Sequence, residues 1–161
     1  CIALADDSGL CINLLNAVEK RIIGTTERPV GCLLSGGLDS SLVCALANQY
    51  CRVNNLPPIQ TFSIGVKGSK DLLMAKSVAD FLGTRHTEVV IQEEDFTSNI
   101  ETVIAAIESY DTTTVRASLG NYLVGKYIKE NTGIMHSLPS GSIHYNFKYL
   151  TQQRETFIEL F

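Results

Sequence analysis

Seven consecutive residues, Ser35-Gly36-Gly37-Leu38-Asp39-Ser40-Ser41, set three hydroxyls, two glycines and a carboxylate where an apolar run gives way to a helical pattern. Paired glycines let a backbone approach a polyphosphate closely, because no Cβ stands in the way. The first N–H groups of the helix that follows have no partner inside it and carry the positive end of its dipole. Ser35, Ser40 and Ser41 add hydroxyl donors for phosphate oxygens. Asp39 would repel a phosphate unless a magnesium ion stood between them, which makes it the candidate metal ligand. A plainer reading is a tight turn with Asp39 and Ser40 capping the helix. The whole string in a strand–loop–helix setting points instead to nucleotide binding. No Gly-Lys-Ser/Thr follows, so it is not a Walker A loop, and it is not a Gly-x-Gly-x-x-Gly dinucleotide loop either.

The surrounding pattern supplies that setting. Residues 11–23 place Cys11, Leu14, Leu15, Val18 and Ile22 at helical spacing, and the stretch from Gly24 to Pro29 breaks the helix. Val30 to Leu34 reads as a short strand buried on both faces. Beyond the glycines, Leu42, Val43, Leu46, Ala47 and Tyr50 mark a helix that ends by Pro57-Pro58. Ile59–Val66 reads as a second strand, and Gly68-Ser69 opens a helix closed by Gly83. His86–Ile91 reads as a third strand, followed by helices over 93–108 and about 113–130, the last with Lys126 and Lys129 at its negative end. Strands alternating with helices predict an α/β fold, a parallel sheet with helices on both faces, in which ligands sit beyond the carboxyl ends of the strands.

The 161 residues suffice for one domain with a hydrophobic core, and 45% hydrophobic with 19% charged residues is ordinary globular composition. A net charge of −4 gives no general attraction to nucleic acid or to anionic membranes, so no partner of either kind is expected. An anionic ligand must then be held locally, by backbone N–H groups and magnesium. The five cysteines (1, 11, 32, 44 and 51) form no Cys-x-x-Cys pair, and His86, His136 and His144 lie far from any cysteine pair. Reduced structural thiols in a cytoplasmic protein are expected, without zinc. No apolar run reaches membrane-spanning length, and the first seven residues lack signal-peptide character.

The Ser-Gly-Gly-x-Asp-Ser string resembles the signature of the PP-loop ATP pyrophosphatases, whose fold is that of the adenine nucleotide α-hydrolases. Over residues 11–132 the chain most resembles the synthetase domain of glutamine-hydrolysing asparagine synthetases. The resemblance includes Gly31-Cys32-Leu33-Leu34, Thr61-Phe62-Ser63-Ile64-Gly65, Lys70–Ala75, Val78–Gly83 and His86-Thr87-Glu88-Val89. The stretch Glu108-Ser109-Tyr110-Asp111-Thr112-Thr113-Thr114-Val115-Arg116-Ala117-Ser118 is specific to that branch. The resemblance implies ATP as co-substrate, with Mg2+, and aspartate and ammonia as substrates. Leu33 and Ile64 would flank the adenine, and Ser35, Gly36, Gly37, Leu38, Asp39, Ser40 and Ser41 would hold the phosphates. Thr113 and Arg116, three apart, share a helix face. Arg116 would pair with an aspartate carboxylate or stabilise charge in the adenylated intermediate. For Asp111 and Thr112, helix capping and chemistry stand equally open. The implied reaction forms β-aspartyl-AMP and pyrophosphate, then asparagine and AMP.

Two departures from the family pattern are expected to matter. No N-terminal glutaminase domain is expected in the chain, so Cys1 is not expected to act as its nucleophile, and the chain reads as a single partial synthetase domain truncated at its C-terminus. Where the family has a second, acidic glycine-rich loop, only Ser140-Gly141 keeps a trace of it, and no acid occurs between residues 131 and 154. These two residues complete the expected ATP-binding set. Residues 143–149 alternate like a strand, and 151–161 could form a short helix. Non-catalytic nucleotide binding is therefore the alternative function. Apolar surface left by the missing region suggests self-association or association with an intact synthetase subunit.

Overall fold

The computed structural model describes residues 8–23, 30–134 and 137–138. Its elements are α1 (Ser8–Ile23), β1 (Gly31–Leu33), α2 (Leu38–Val53), β2 (Gln60–Val66), α3 (Lys70–Leu82), β3 (Arg85–Ile91), α4 (Glu93–Ile107), α5 (Thr112–Asn131) and β4 (Ser137–Leu138). The strands form one sheet in the order β3-β2-β1-β4, and every pairing is parallel. The chain adds β2 and β3 on one side of β1 and then returns to lay β4 on the other. That reversal makes the carboxyl end of β1 a topological switch point, where open α/β sheets leave a crevice.

Alternation along the strands sends the core two ways. Cys32, Leu34 and Ile59 pack with Val18 and Ile22 of α1, Cys44, Ala47 and Cys51 of α2, and Ala75 and Ala79 of α3. Phe62, Val89 and Ile91 pack on the other side with Val103 of α4 and Leu119, Leu123, Val124 and Ile128 of α5. Helices thus cover both faces, as the α-β alternation predicts. Helix faces differ in detail from the sequence pattern, since Leu15 and Leu42, expected in apolar stripes, are exposed. The face of α2 turned to the sheet instead uses Cys44, Ala47, Asn48 and Cys51. Cys32, Cys44 and Cys51 are free thiols. The contact with Cys44, then burial, pushes the Cys32 thiol well above its usual pKa.

Three helices start on side-chain caps. Ser69 accepts the Leu72 N–H at 3.4 Å, Asp111 accepts the Thr114 N–H at 2.8 Å, and Gln92 with Asp95 forms a capping box. Helix α3 ends on Gly83 in the left-handed region. Strand β4 has no counterpart in the periodicity reading, because two paired residues before Pro139 are too short to register as a pattern. Ser140, Gly141, the strand expected over 143–149, the helix expected over 151–161, Cys1 and the break at 24–29 lie outside the described residues.

Candidate functional site

Strand β1 ends at Leu33, and Leu34 extends its ladder by one N–H bond of 2.8 Å to the Phe62 carbonyl. The chain then turns through Ser35-Gly36-Gly37 into α2 at the switch point. Gly36 has φ +78, and a Cβ there would lie 2.7 Å from the Ala75 nitrogen and 2.7 Å from Met74 Cβ. Both the backbone angle and the seat on α3 require glycine. Gly37 differs, because it sits in an extended conformation as the N-cap of α2. The nearest atom a Cβ there would meet is Ser35 Oγ, at 3.5 Å. Among the described residues nothing in the packing forbids a Cβ at Gly37.

Hydroxyls lock the loop from within. Ser40 is 2% exposed, and its Oγ donates to the Gly37 carbonyl at 3.1 Å while accepting the Ser35 N–H at 3.3 Å. Its single hydrogen being so used, the 2.9 Å contact with Ser35 Oγ is a bond donated by Ser35. Ser41 Oγ donates to the same Gly37 carbonyl at 2.7 Å. Ser40 therefore shapes the loop rather than facing outward, whereas Ser35 and Asp39 are exposed. Helix α2 has no side-chain cap, which leaves the amides of the exposed Leu38 and Asp39 at its first turn for an incoming anion. Leu38 is 84% exposed beside them.

Leu33 and Ile64 stand on the α5 side of the sheet, both half-buried against the cluster around Phe62. Thr113 and Arg116 belong to a separate element, and the topology brings its start to the same end of the sheet. Helix α5, about 30 Å long, ends at Asn131, six positions before β4 begins parallel to β1. Ile134 lies against the start of β1, 3.1 Å from where a Gly31 Cβ would be. The C-terminal end of α5 is therefore at the amino ends of the strands, and Asp111–Arg116 is at their carboxyl ends. Thr113 and Arg116 are both exposed there. Asp111 caps α5, accepting the Thr114 N–H and hydroxyl, each at 2.8 Å. Those two bonds, the backbone one first, hold its carboxyl below the usual pKa. The turn before it carries Glu108 at φ 50, and Ser109 Oγ accepts the Asp111 N–H at 3.2 Å. Periodicity does not flag Ser40 as an internal staple, because only the folded loop shows which hydroxyl turns inward.

Among the described residues no group of three or more His, Cys, Asp or Glu could hold a metal ion. No described helix is long and apolar enough to cross a membrane.

Residues 11–137 match the family model for asparagine synthase, which carries the likeness past residue 132 to the first residue of β4. The chain is 52% identical over 118 residues to the glutamine-hydrolyzing asparagine synthetase of Homo sapiens, covering 73% of this chain and 21% of that protein. It is 50% identical over 126 residues to the enzyme of the same description from Bos taurus, covering 78% of this chain and 22% of that protein. The chain thus spans about a fifth of the length of the relatives it matches. Among solved structures it is similar to an NMN synthetase from Francisella tularensis, with TM-score 0.49 and 19% identity over 73% of this chain and 46% of that one. An NH3-dependent NAD synthetase from Campylobacter jejuni gives TM-score 0.49 and 19% identity over 78% and 50%.

Proposed function

The chain belongs to the asparagine synthase family, and we propose that it carries the ATP-activating site of an AMP-forming ligase that makes asparagine from aspartate and ammonia. The observation that carries this reading is the start of α2, where a glycine unconstrained by packing precedes a helix with no side-chain cap. The open amides of its first turn would take the phosphate oxygens, and the exposed Ser35 would turn its hydroxyl hydrogen from Ser40 to them. Ser40 and Gly36 act one step back, by fixing the loop's shape against β1 and α3. Leu33 and Ile64 supply apolar walls for the adenine, and Leu38 adds exposed apolar surface at the loop.

A magnesium ion fits this donor set in one particular way. Asp39 offers a single exposed carboxylate at the loop, so the remaining oxygen ligands would come from the phosphates and water. When bound there, the ion neutralises charge on the phosphate oxygens.

The chemistry proposed is two displacements. An oxygen of the aspartate β-carboxylate attacks the α-phosphorus of ATP, the bond to the bridging oxygen breaks, and pyrophosphate leaves with that electron pair. Ammonia then attacks the acyl carbon of β-aspartyl-AMP; AMP departs and a proton is lost from nitrogen, giving asparagine. Arg116, with Thr113 on the same helix face, would hold the aspartate and balance its charge. The protein's part is to position the reactants and stabilise charge, with no covalent step on the chain.

One observation favours a second reading, nucleotide binding without turnover: no Asp or Glu lies between residues 131 and 154. Release of AMP and pyrophosphate from magnesium–ATP, measured with and without aspartate and ammonium, separates the two. Aspartate-dependent release of both products is expected. Bound ATP with neither product would replace the ligase reading by the second one.

A further inference from the structure

On the face of the sheet covered by α3, β2 and β3 carry polar side chains where the opposite face carries Phe62, Val89 and Ile91. Gly65 shares this face with Thr61 and Ser63, and a Cβ on it would lie 2.7 Å from Ser69 Oγ and 3.0 Å from Leu72 Cγ of α3. His86 bridges two alternate residues of β2. Its Nδ1 is 3.0 Å from Thr61 Oγ1, and its Nε2 is 3.1 Å from Ser63 Oγ. Thr61 Oγ1 in turn is 2.8 Å from Thr84 Oγ1. Thr61 is fully buried and Ser63 is 5% exposed.

A neutral imidazole has one donor and one acceptor nitrogen. With Nε2 as the acceptor, Ser63 donates to it, Nδ1–H donates to Thr61, and the Thr61 hydrogen goes to Thr84. Every hydroxyl hydrogen of the two buried residues is then used. Protonation turns Nε2 into a donor, and the Ser63 hydrogen loses that acceptor at a position only 5% exposed. Ser63 follows Phe62, whose carbonyl receives the Leu34 N–H at the root of the Ser35–Ser41 loop. Helix α3 packs on both β2 and β3, and Gly36 of the loop closes against Met74 and Ala75 of the same helix.

We propose that His86 is a positioning residue for the phosphate loop, holding Ser63 and α3 in the arrangement that seats Gly36 while its ring is neutral, and loosening that seat when the ring takes a proton. The proposal rests on the reading of the loop as a nucleotide site. Burial lowers the His86 pKa, and Lys76 of α3 acts in the same direction. Glu88 of β3, Asp80 of α3 and the Thr61 backbone of β2 pull it upward, and the remaining β2 groups at the ring are the hydroxyls of Thr61 and Ser63. The neutral ring is therefore the working form near neutrality, and acidification below the usual histidine range removes it.

The test is magnesium–ATP affinity of the full chain between about pH 7.5 and 4.5, measured beside His86→Gln and Ser63→Ala. Taking the ratio of wild type to variant cancels the pH dependence of ATP itself. Wild-type affinity is expected to fall about fivefold more than that of either variant over this range, the loss that follows when protonation disfavours the binding-competent form. Ser63→Ala serves if His86→Gln does not fold. A constant ratio across pH, or a rise in wild-type affinity on acidification, overturns the positioning role and leaves the nucleotide site standing. No binding by the wild type near neutral pH overturns both.

Discussion

Gly36 and Gly37 adjoin in sequence and do different work. A methyl at Gly36 meets the Ala75 backbone nitrogen at 2.7 Å and sits on a φ of +78. Gly36→Ala should destabilise the fold by about 2 kcal/mol or more, read as a drop in the denaturant midpoint. An unchanged midpoint would contradict the close seat on α3. Arg116 tests substrate recognition, because its proposed partner is aspartate and not the nucleotide. Arg116→Ala should weaken aspartate affinity by about tenfold, the loss of a charge-assisted pair worth ~1.4 kcal/mol, with a much smaller effect on ATP. Equal losses in two titrations would remove Arg116 from the aspartate site. At this scale the sequence is legible where chemistry depends on residue type. The string from Ser35 to Ser41 marks the loop, and the spacing of Thr113 and Arg116 marks a shared helix face. It is not legible where role depends on direction, as with Ser40, whose hydroxyl turns into the loop, and His86, which bridges Thr61 and Ser63 across strands.

Helix boundaries were legible wherever a cap or a breaker marks them. Ser69 and Gly83 bracket α3, and Asp111 starts α5 one residue before the periodic pattern suggests. Strand β1 pairs over three residues although its apolar run covers five, since the chain leaves the sheet after the last ladder bond of Leu34 to form the loop. Strand β4 was not legible, having only two paired residues and no alternation. The cap at α5 carries a prediction of its own, because it holds the start of the helix bearing Thr113 and Arg116. The Asp111 pKa is depressed by the Thr114 amide and hydroxyl. Its stabilisation is therefore full above the unfolded carboxyl value of about 4 and is lost as pH falls through the lower folded value. Asp111→Ala should lower the denaturant midpoint at neutral pH, and the gap to wild type should close on acidification below about pH 4. A gap that stays constant down to about pH 3 would contradict a charged cap.

For the whole molecule, alternating strands and helices predicted the two-faced parallel sheet, and the structure has it. The return of the chain to β4 was not visible in that alternation, yet it makes the end of β1 a switch point and explains why the loop opens there. Contact order hides this feature: β1 and β4 are about a hundred residues apart, and nothing local in either announces the pairing. The account then rests on one local claim set in that global frame, that the first turn of α2 cradles the phosphates of ATP. Gly37→Val adds a side chain beside those amides, where a Cβ meets nothing nearer than Ser35 Oγ at 3.5 Å among the described residues. Magnesium–ATP titration of wild type and Gly37→Val, with a denaturation curve for each, is the most direct test. Matching denaturation curves are expected, with a loss of ATP affinity of at least about a hundredfold, the scale set by losing two charge-assisted hydrogen bonds. Equal affinity in two folded proteins would contradict that claim, and would place the nucleotide elsewhere or nowhere on this chain.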